Sequence, residues 1–452
     1  MELEKRDSTD PREIVIRRLY AELGRWPDVH FNPLETTQLS SRDARLAHAL
    51  YSETMRRLLT LEYLLNQALR RPLDEIEVKL RACLLVGACQ IFFFDHLPDH
   101  AVVDETVKWA GRFVRVKAKG LVNAVLRKMI GLRGEYLEAN EAWEDQFNDK
   151  SGLIPLSDGR WLTLRENVLP DELAGQLSVQ TSHPVALVDR WLKNTKRREV
   201  MRFLLHNLTP APIIVTGRWE EESGDELEGH EVDGFKIWNG NHQELIDFLD
   251  RNKSARVQDP GSAALCTPTN CLDLNGKIII DVCAGSGTKT EQLSYLHQQS
   301  TIIATDVSDR RRALLSARFM DHDRVKVVEP NDLPGYAGRA ALVVLDVPCS
   351  NTGVLARRIE AKYRVDSAHM KSLIDLQKQI IADSLYYRDD NGYILYSTCS
   401  IEPIENERQS AWIKKWHKMR VISQESHMPK GLPHEKSTRY CDGGYHALLG
   451  GL

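Results

Sequence analysis

The spacing of apolar residues changes along the chain, and the change separates two kinds of structure. From residue 10 to about residue 130, apolar residues recur three and four positions apart, as at Ala47, Leu50 and Tyr51. This spacing places them on one side of a helix. Beyond residue 255, short apolar runs alternate with helical segments, a pattern that is typical of a parallel sheet. Five such runs predict strands, at 277–281, 301–306, 325–328, 341–345 and 392–397.

The pattern therefore predicts an α plus α/β chain of several domains. We expect an all-helical domain at 1–135, a linker with a small α/β subdomain at 136–254, and a Rossmann-like domain with a mostly parallel sheet at 255–452. The length of 452 residues agrees with this division, because one hydrophobic core seldom grows beyond about 300 residues.

Charge adds one feature to the helical part. Lys and Arg total 60 against 64 Asp and Glu, and this net charge of −4 argues mildly against nucleic-acid binding. Residues 108–128 nevertheless include seven basic and no acidic side chains: Lys108, Arg112, Arg115, Lys117, Lys119, Arg127 and Lys128. The run is equally consistent with a solvated helix face and with a surface that binds the phosphates of a nucleic acid.

Eight cysteines in a chain of this length do not suggest a disulfide scaffold, and they include no CxxC pair and no zinc spacing. No apolar run approaches the roughly 20 residues that span a membrane, and the first residues lack the apolar core of a signal peptide. We therefore expect a cytoplasmic protein that makes no membrane contact and binds no metal.

Acidic residues stand where the predicted strands of the second part end. Asp281 ends one strand and is followed by a loop of small residues that leads into a helix. Glycines let a ligand approach the backbone, and a helix N-terminus supplies N–H donors. Asp306 ends the next strand, about 20 residues after the loop, where an acid can bind the hydroxyls of a ribose. After the third strand, Asp332, Asn331 or Glu329 is placed to contact an adenine edge.

Cysteines follow two further predicted strands. Asp346 and Cys349 come after the fourth strand, and Cys399 comes after the fifth. Ligands in open α/β sheets sit beyond the carboxyl ends of the strands, so both thiols are expected to border one cleft. A single cysteine of this kind is usually inert, but two at one cleft favour nucleophilic chemistry.

These motifs resemble those of the RNA cytosine-5 methyltransferases that use S-adenosylmethionine, which have a class I methyltransferase fold. The resemblance lies in Pro348-Cys349-Ser350, in Thr398-Cys399-Ser400 and in the Glu405-Asn406 pair that follows. The segments 84–90, 97–103 and 121–127 are similar to NusB-type RNA-binding domains. A NusB-like domain fused to such a catalytic domain resembles the RsmB (Sun/Fmu) bacterial 16S rRNA methyltransferases, in which 136–254 would be an N1-type subdomain.

The resemblance implies methyl transfer from S-adenosylmethionine to C5 of a cytosine in RNA, with 16S rRNA as the expected partner and a monomeric enzyme. It makes Cys399 the nucleophile and Cys349 the residue that helps to release the product. It also places Asp346 against the base, with Lys289 nearby. The cofactor-binding residues that it implies are Cys283, Ala284, Gly285, Ser286, Gly287, Thr288, Lys289, Asp306, Asp332 and Asp346.

Other functions explain fewer of these residues. A DNA cytosine-5 methyltransferase would use Cys349 as its nucleophile, but the Thr398-Cys399-Ser400 segment and the NusB-like part argue against it. An amino-group methyltransferase would carry an Asn-Pro-Pro-Tyr type of motif at 346–349, and a nicotinamide dehydrogenase would leave both cysteines unexplained. The strongest alternative is an rRNA-binding or ribosome-assembly factor with an impaired catalytic domain, because the glycine loop lacks the proline of the family.

Overall fold

The computed structural model describes residues 8–138, 152–219 and 226–451. They form two compact units. The first contains the described residues up to Pro210 with Leu355–Asp366 and Leu432–Glu435, and the second contains the rest. Within the described ranges, no helix is both long enough and apolar enough to cross a membrane. The division of the sequence into three domains, with boundaries after 135 and 254, stays a prediction.

The first unit is built mainly from helices, which confirms the helical part predicted from the spacing of apolar residues. Its described α-helices are α1 Pro11–Leu23, α2 Ser41–Arg56, α3 Leu58–Ala68, α4 Val78–Phe93, α5 Asp99–Phe113, α6 Ala118–Leu132, α7 Leu173–Thr181, α8 Val185–Asn194 and α9 Arg197–His206. An antiparallel sheet in the order β1-β3-β2 accompanies them, with β1 Arg133–Leu137, β2 Leu153–Pro155 and β3 Trp161–Leu164.

Local sequence signals account for the central helix and for the first helix of this unit. Helix α4 is buried on all sides from Ala82 to Phe92, and its residues Cys83, Leu84 and Ile91 are fully buried. Such a helix belongs inside a domain. Helix α1 begins with Pro11 after the cap residue Asp10, whose side chain accepts a hydrogen bond from the Arg12 amide at 2.9 Å.

The second unit includes a small antiparallel sheet in the order β5-β6-β4-β7. Its strands are β4 Ile213–Thr216, β5 Leu227–Gly229, β6 Phe235–Trp238 and β7 Arg256–Val257. Helix α10, His242–Arg251, covers this sheet because its apolar side chains Leu245 and Phe248 pack with Val215 and Trp238.

The main sheet of the second unit has seven strands in the order β10-β9-β8-β11-β12-β14-β13. They are β8 Ile278–Asp281, β9 Thr301–Ala304, β10 Val325–Val327, β11 Ala340–Asp346, β12 Arg388–Thr398, β13 Arg420–His427 and β14 Gly444–Gly450. The accompanying helices are α11 Pro260–Ala264, α12 Thr288–Leu296, α13 Asp309–Arg318, α14 Ser367–Ser384 and α15 Glu407–His417. Strands β8 to β12 are parallel, whereas β14 is antiparallel to both of its neighbours. The mostly parallel sheet and its five predicted strands are thus confirmed.

The order of the strands reverses between β8 and β11, and this reversal locates the site. Strand β8 pairs with β9 on one side and with β11 on the other. In doubly wound sheets, ligands bind beyond the carboxyl ends of the strands at such a reversal. Apolar side chains cover both faces of the sheet and hold these ends in place, with Ile279, Leu342 and Leu395 on one face and Ile280, Val343 and Ile394 on the other.

Candidate active site

Two glycines with left-handed backbone shape the loop between β8 and α12. Gly285 has a φ of 58° and Gly287 a φ of 91°, a region in which other residues are strained. A Cβ at Gly287 would lie 2.6 Å from Phe319 Cε2, whereas a Cβ at Gly285 would meet open space. Gly287 is therefore required for packing, and Gly285 leaves room beside the loop. Four more of the predicted cofactor residues lie in this loop or at the start of α12: Cys283, Ala284, Ser286 and Thr288.

Asp306 reaches the glycine loop from just beyond the end of β9. Its Oδ2 accepts a hydrogen bond from the Gly285 amide at 3.0 Å, and its Oδ1 accepts one from the Ser308 amide at 2.9 Å. The residue is 3% exposed, and Arg311 Nη1 lies 3.7 Å from Oδ2. The structure thus brings together the glycine loop and the acid that follows the next strand.

Asp332 lies in the short 3₁₀ helix Pro330–Tyr336, after β10. Its side chain and that of Asn331 are exposed. Glu329 forms an ion pair with Arg312, with 2.5 Å between Oε2 and Nη2. The sequence left three side chains open for an adenine contact, and one of them, Glu329, is already paired with a cation. The assignment of Asp332 stays a prediction.

Asp281, at the end of β8, is a fully buried acid that the sequence identified only as a strand end. Thr290 Oγ1 donates a hydrogen bond to its Oδ2 at 2.7 Å, and its Oδ1 has no hydrogen-bond partner among the described residues. Burial raises the pKa of Asp281 to about 7, although the bond from Thr290 opposes the shift. Burial also raises the pKa of the nearby Cys283 thiol. Burial at the end of β8 therefore favours the neutral forms of Asp281 and Cys283.

Lys289 and Asp346 form an ion pair between the first turn of α12 and the end of β11. Lys289 Nζ lies 2.7 Å from Asp346 Oδ2, and Ser397 Oγ donates a hydrogen bond to Asp346 Oδ1 at 3.0 Å. Burial disfavours the ammonium form, but the Asp346 carboxylate outweighs it and raises the pKa of Lys289 above its ordinary value. Lys289 is therefore protonated at neutral pH, and both oxygens of Asp346 are held in place.

Cys349 and Cys399 face each other beyond the ends of β11 and β12, with 3.0 Å between their sulfurs. Cys399 Sγ donates a hydrogen bond to Asn351 Oδ1 at 3.1 Å, and Asn351 Nδ2 donates one to the Cys349 carbonyl at 2.9 Å. Asn351 makes this bridge from a left-handed backbone, with a φ of 61°, which Asn adopts more readily than most residues. The contact with Cys399 and burial both raise the pKa of Cys349, so Cys349 is a thiol in this arrangement.

Glu405 joins the two segments that carry the cysteines, a contact that sequence reasoning missed. Its Oε2 accepts hydrogen bonds from Ser350 Oγ at 2.5 Å and from Ser400 Oγ at 2.6 Å. Its Oε1 accepts bonds from the Ser350 amide and from Gln377 Nε2, both at 3.0 Å. The residue is fully buried, and a buried carboxylate needs such donors. In the sequence, Glu405 stood out only as part of the Glu405-Asn406 pair. Its contact with Ser350 could not be read from the sequence, because Ser350 lies 55 positions away.

In the helical unit, acids from outside the basic run neutralise part of it. Lys108 Nζ pairs with Asp104 Oδ2 at 2.6 Å, and Arg115 forms an ion pair with Glu77. Lys117 and Lys119 are exposed. The surface therefore presents cations to solvent, but its local charge is lower than the seven basic residues of the sequence indicate.

Two family models match separate parts of the chain. The model described as 16S rRNA methyltransferase RsmB/F matches residues 271–444, which contain the glycine loop and both cysteines of the pair. The model of the NusB family matches residues 9–131, which contain helices α1 to α5 and all but the last residue of α6. The NusB match covers the part of the sequence with helical spacing of apolar residues, and the methyltransferase match covers the part with predicted strands.

Relatives match both parts together. Ribosomal RNA small subunit methyltransferase B of Serratia proteamaculans is 26% identical over 427 residues, and that of Yersinia enterocolitica is 26% identical over 436; each alignment covers 91% of both chains. The crystal structure of PH0851 has the same fold, with a TM-score of 0.69 at 18% identity over 98% of this chain and 100% of its own. A methyltransferase homolog from Pyrococcus horikoshii matches with a TM-score of 0.51 at 17% identity, over 63% of this chain and 100% of its own. The chain therefore carries a domain of the RsmB/F family of rRNA methyltransferases at residues 271–444 and a NusB-family domain at residues 9–131, and it is similar to ribosomal RNA small subunit methyltransferase B over 91% of its length.

Proposed function

We propose that this enzyme methylates C5 of a cytosine in 16S rRNA, with S-adenosylmethionine as the methyl donor and a covalent bond between Cys399 and C6 of the base. The observation that carries the proposal is the pair of sulfurs 3.0 Å apart, at the sheet edge that also holds the Lys289–Asp346 ion pair. The match of residues 271–444 to the RsmB/F methyltransferase model supports an RNA substrate. The position on the base and the covalent route are the proposal.

The glycine loop and Asp306 fit S-adenosylmethionine, which supplies a methyl group on an activated sulfonium. The buried Asp306 carboxylate, held at the Gly285 amide, suits the two hydroxyls of a ribose. The N-terminus of α12 offers N–H donors, and the open space at Gly285 permits close contact with the backbone. We assign the other residues of the loop, from Cys283 to Lys289, to the same cofactor, and Asp332 to its adenine.

Cys399 has the central chemical role. C5 of cytosine is too weak a nucleophile to accept a methyl group directly. When the Cys399 thiolate forms a bond to C6, the electron pair of the C5–C6 double bond makes C5 enamine-like and able to accept the methyl group. Loss of the C5 proton then returns an electron pair to the ring and expels the thiolate. One difficult step is thus divided into easier ones.

Asp346 is assigned to the N3 and N4 edge of the cytosine, where charge changes as the adduct forms. Lys289 and Ser397 bind its two oxygens, so the carboxylate is positioned before the base arrives. A polar group that is fixed in advance stabilises such a charge more effectively than water does.

Cys349 is assigned to product release. Its sulfur lies beside that of Cys399, and its raised pKa keeps it protonated. It can therefore donate a hydrogen bond to the thiolate that leaves C6, which favours breakage of the carbon–sulfur bond.

The NusB-family domain is assigned to the RNA backbone, for which Lys117, Lys119 and Arg127 offer exposed cations. The target cytosine must leave its stack to reach the thiols. We expect a monomer that acts in the cytoplasm, where its eight free cysteines stay reduced.

Methyl incorporation tests the proposal. The full chain is incubated with radiolabelled S-adenosylmethionine and 16S rRNA, either naked or in small-subunit particles, and the product is mapped by bisulfite sequencing. We expect 5-methylcytosine at a defined position. Label on another atom or base would refute the assignment to C5. The absence of detectable cofactor binding would instead support the assembly-factor alternative, which is favoured by Ser286 in place of the family's proline.

A further inference from the structure

Glu425, His427 and His446 bring three metal-binding side chains together on one face of β13 and β14. The two strands are antiparallel, and Glu425 lies directly opposite His446 in register. His427 follows Glu425 by two positions, so its side chain leaves the same face of the sheet. One ligand atom from each residue lies within 4.8 Å of the other two. The approach of His446 to the other two depends on strand pairing and has no counterpart in the spacing of the sequence.

The two imidazole rings have the separation expected of neighbouring metal ligands. His427 Nε2 lies 3.2 Å from His446 Nδ1. Two nitrogens that are each about 2.0–2.1 Å from a tetrahedral Zn²⁺ stand about 3.3–3.4 Å apart. Glu425 Oε1 lies 3.9 Å from His427 Nδ1, which is not the ring nitrogen that faces His446, and 66% of the Glu425 side chain is exposed. The carboxylate is therefore free to rotate toward the same point.

We propose that Glu425, His427 and His446 form a Zn²⁺ site with three protein ligands and a fourth position open to water. Two imidazoles and one carboxylate are a donor set that Zn²⁺ takes in proteins. Exposure rises from His446, at 4%, through the half-buried His427 to Glu425, so an ion can enter from solvent. This site is separate from the cysteine pair and does not depend on the proposed methyl transfer.

The position of the site indicates what the ion would do. Strand β13 is an edge strand of the main sheet, paired only with β14 among the described strands. An ion bound to residues of both strands would stabilise the pairing of β13 with β14. His446 is in register with Ser397, which donates a hydrogen bond to Asp346, so the ion would stabilise the strand next to the proposed active site.

A direct hydrogen bond between the two rings is the competing explanation. In that case one ring N–H donates to the other ring, Glu425 takes no part, and added Zn²⁺ has no specific effect. The two explanations therefore differ in how the protein responds to the metal.

Calorimetric titration of the full chain with Zn²⁺ distinguishes them. The parent protein carries Cys349→Ser and Cys399→Ser, since the two thiols would themselves bind Zn²⁺. It is compared with versions that add His427→Gln, His446→Gln or Glu425→Gln. The matched control adds His242→Gln, which removes an exposed imidazole from the start of α10.

We expect the parent to bind one Zn²⁺ and the His242 control to bind it equally well. Loss of either proposed histidine should weaken binding at least about 100-fold, and loss of Glu425 about 10-fold, because even outer-shell changes cost about 10–100-fold. Co²⁺ in the parent should give the spectrum of a four- or five-coordinate ion without a thiolate charge-transfer band.

Two results would overturn the site. One is a parent that binds no Zn²⁺, and the other is a His427→Gln protein that binds Zn²⁺ as tightly as the parent. If the buried His446 does not tolerate substitution, the variants of the more accessible His427 and Glu425 decide the question, with circular dichroism to verify that they are folded.

Discussion

The sulfurs of Cys349 and Cys399 lie 3.0 Å apart, although the residues are 50 positions apart in the sequence. Strands β11 and β12 are adjacent and parallel, with Asp346 in register with Ser397, so the segments that follow both strands meet at one edge. Two thiolates at this distance would repel each other strongly, because Cys349 is buried. The pair is therefore suited to one thiolate and one thiol, as an attacking residue and a release partner require.

Replacement of each cysteine should have a different effect. Cys399→Ala is expected to lower methyl transfer by at least about 10⁴-fold, the scale on which enzymes lose rate without their nucleophile. Cys349→Ala is expected to leave a covalent protein–RNA adduct, visible on a denaturing gel, because release is blocked after attack. An adduct in the Cys399 variant and none in the Cys349 variant would reverse the two roles.

Asp346→Asn should reduce kcat by about 10²–10³-fold, as expected when a preorganised group at the point of charge change is lost. The variant also leaves the Lys289 ammonium without its carboxylate. Steady-state methylation assays measure the effect, and Asp375→Asn on the exposed side of α14 is the matched control, with no expected change. Equal kcat values for the two variants would contradict the role of Asp346.

Glu405→Gln should lower the free energy of unfolding by about 2–4 kcal/mol, because the amide cannot accept from all the donors that the buried carboxylate satisfies. Methylation should fall as well, since Glu405 holds the segments that carry both cysteines. Urea unfolding and kcat are the measurements. Glu407→Gln is the control, because Glu407 is only half-buried and accepts a hydrogen bond from Ser426. Equal stability of the two variants would show that Glu405 is not a bridge.

Asp281 should make stability depend on pH. Its folded pKa of about 7 lies above its ordinary value of 3.8, so between these values the folded chain keeps a proton that the unfolded chain has lost. The free energy of unfolding should therefore fall as pH rises through this window, by at most about 1.4 kcal/mol per pH unit. Urea unfolding at several pH values, for the native chain and for Asp281→Asn, isolates the contribution. A difference between the two proteins that does not change with pH would exclude it.

Helices and strands with a strong apolar pattern were predictable because that pattern is local. Helices α1 to α6 and strands β8 to β12 follow from it. Strands β13 and β14 were not predicted. Residues Arg420–His427 are mostly polar and only partly buried, as expected of an edge strand, so they carry no apolar run. Residues Gly444–Gly450 are buried, but glycines at both ends and the polar His446 shorten their apolar run.

By itself, the sequence determined the two-part architecture, the acid or cysteine at the end of each strand, and the motifs that indicate a methyltransferase. Only the tertiary structure decided which side chains meet. It pairs Lys289 with Asp346, 57 positions away, joins Ser350 to Glu405, and brings Glu425, His427 and His446 within reach of one ion. The physical reason is that such contacts depend on strand order and register. These are set by the packing of the whole sheet, whereas periodicity reports only which face of an element is buried.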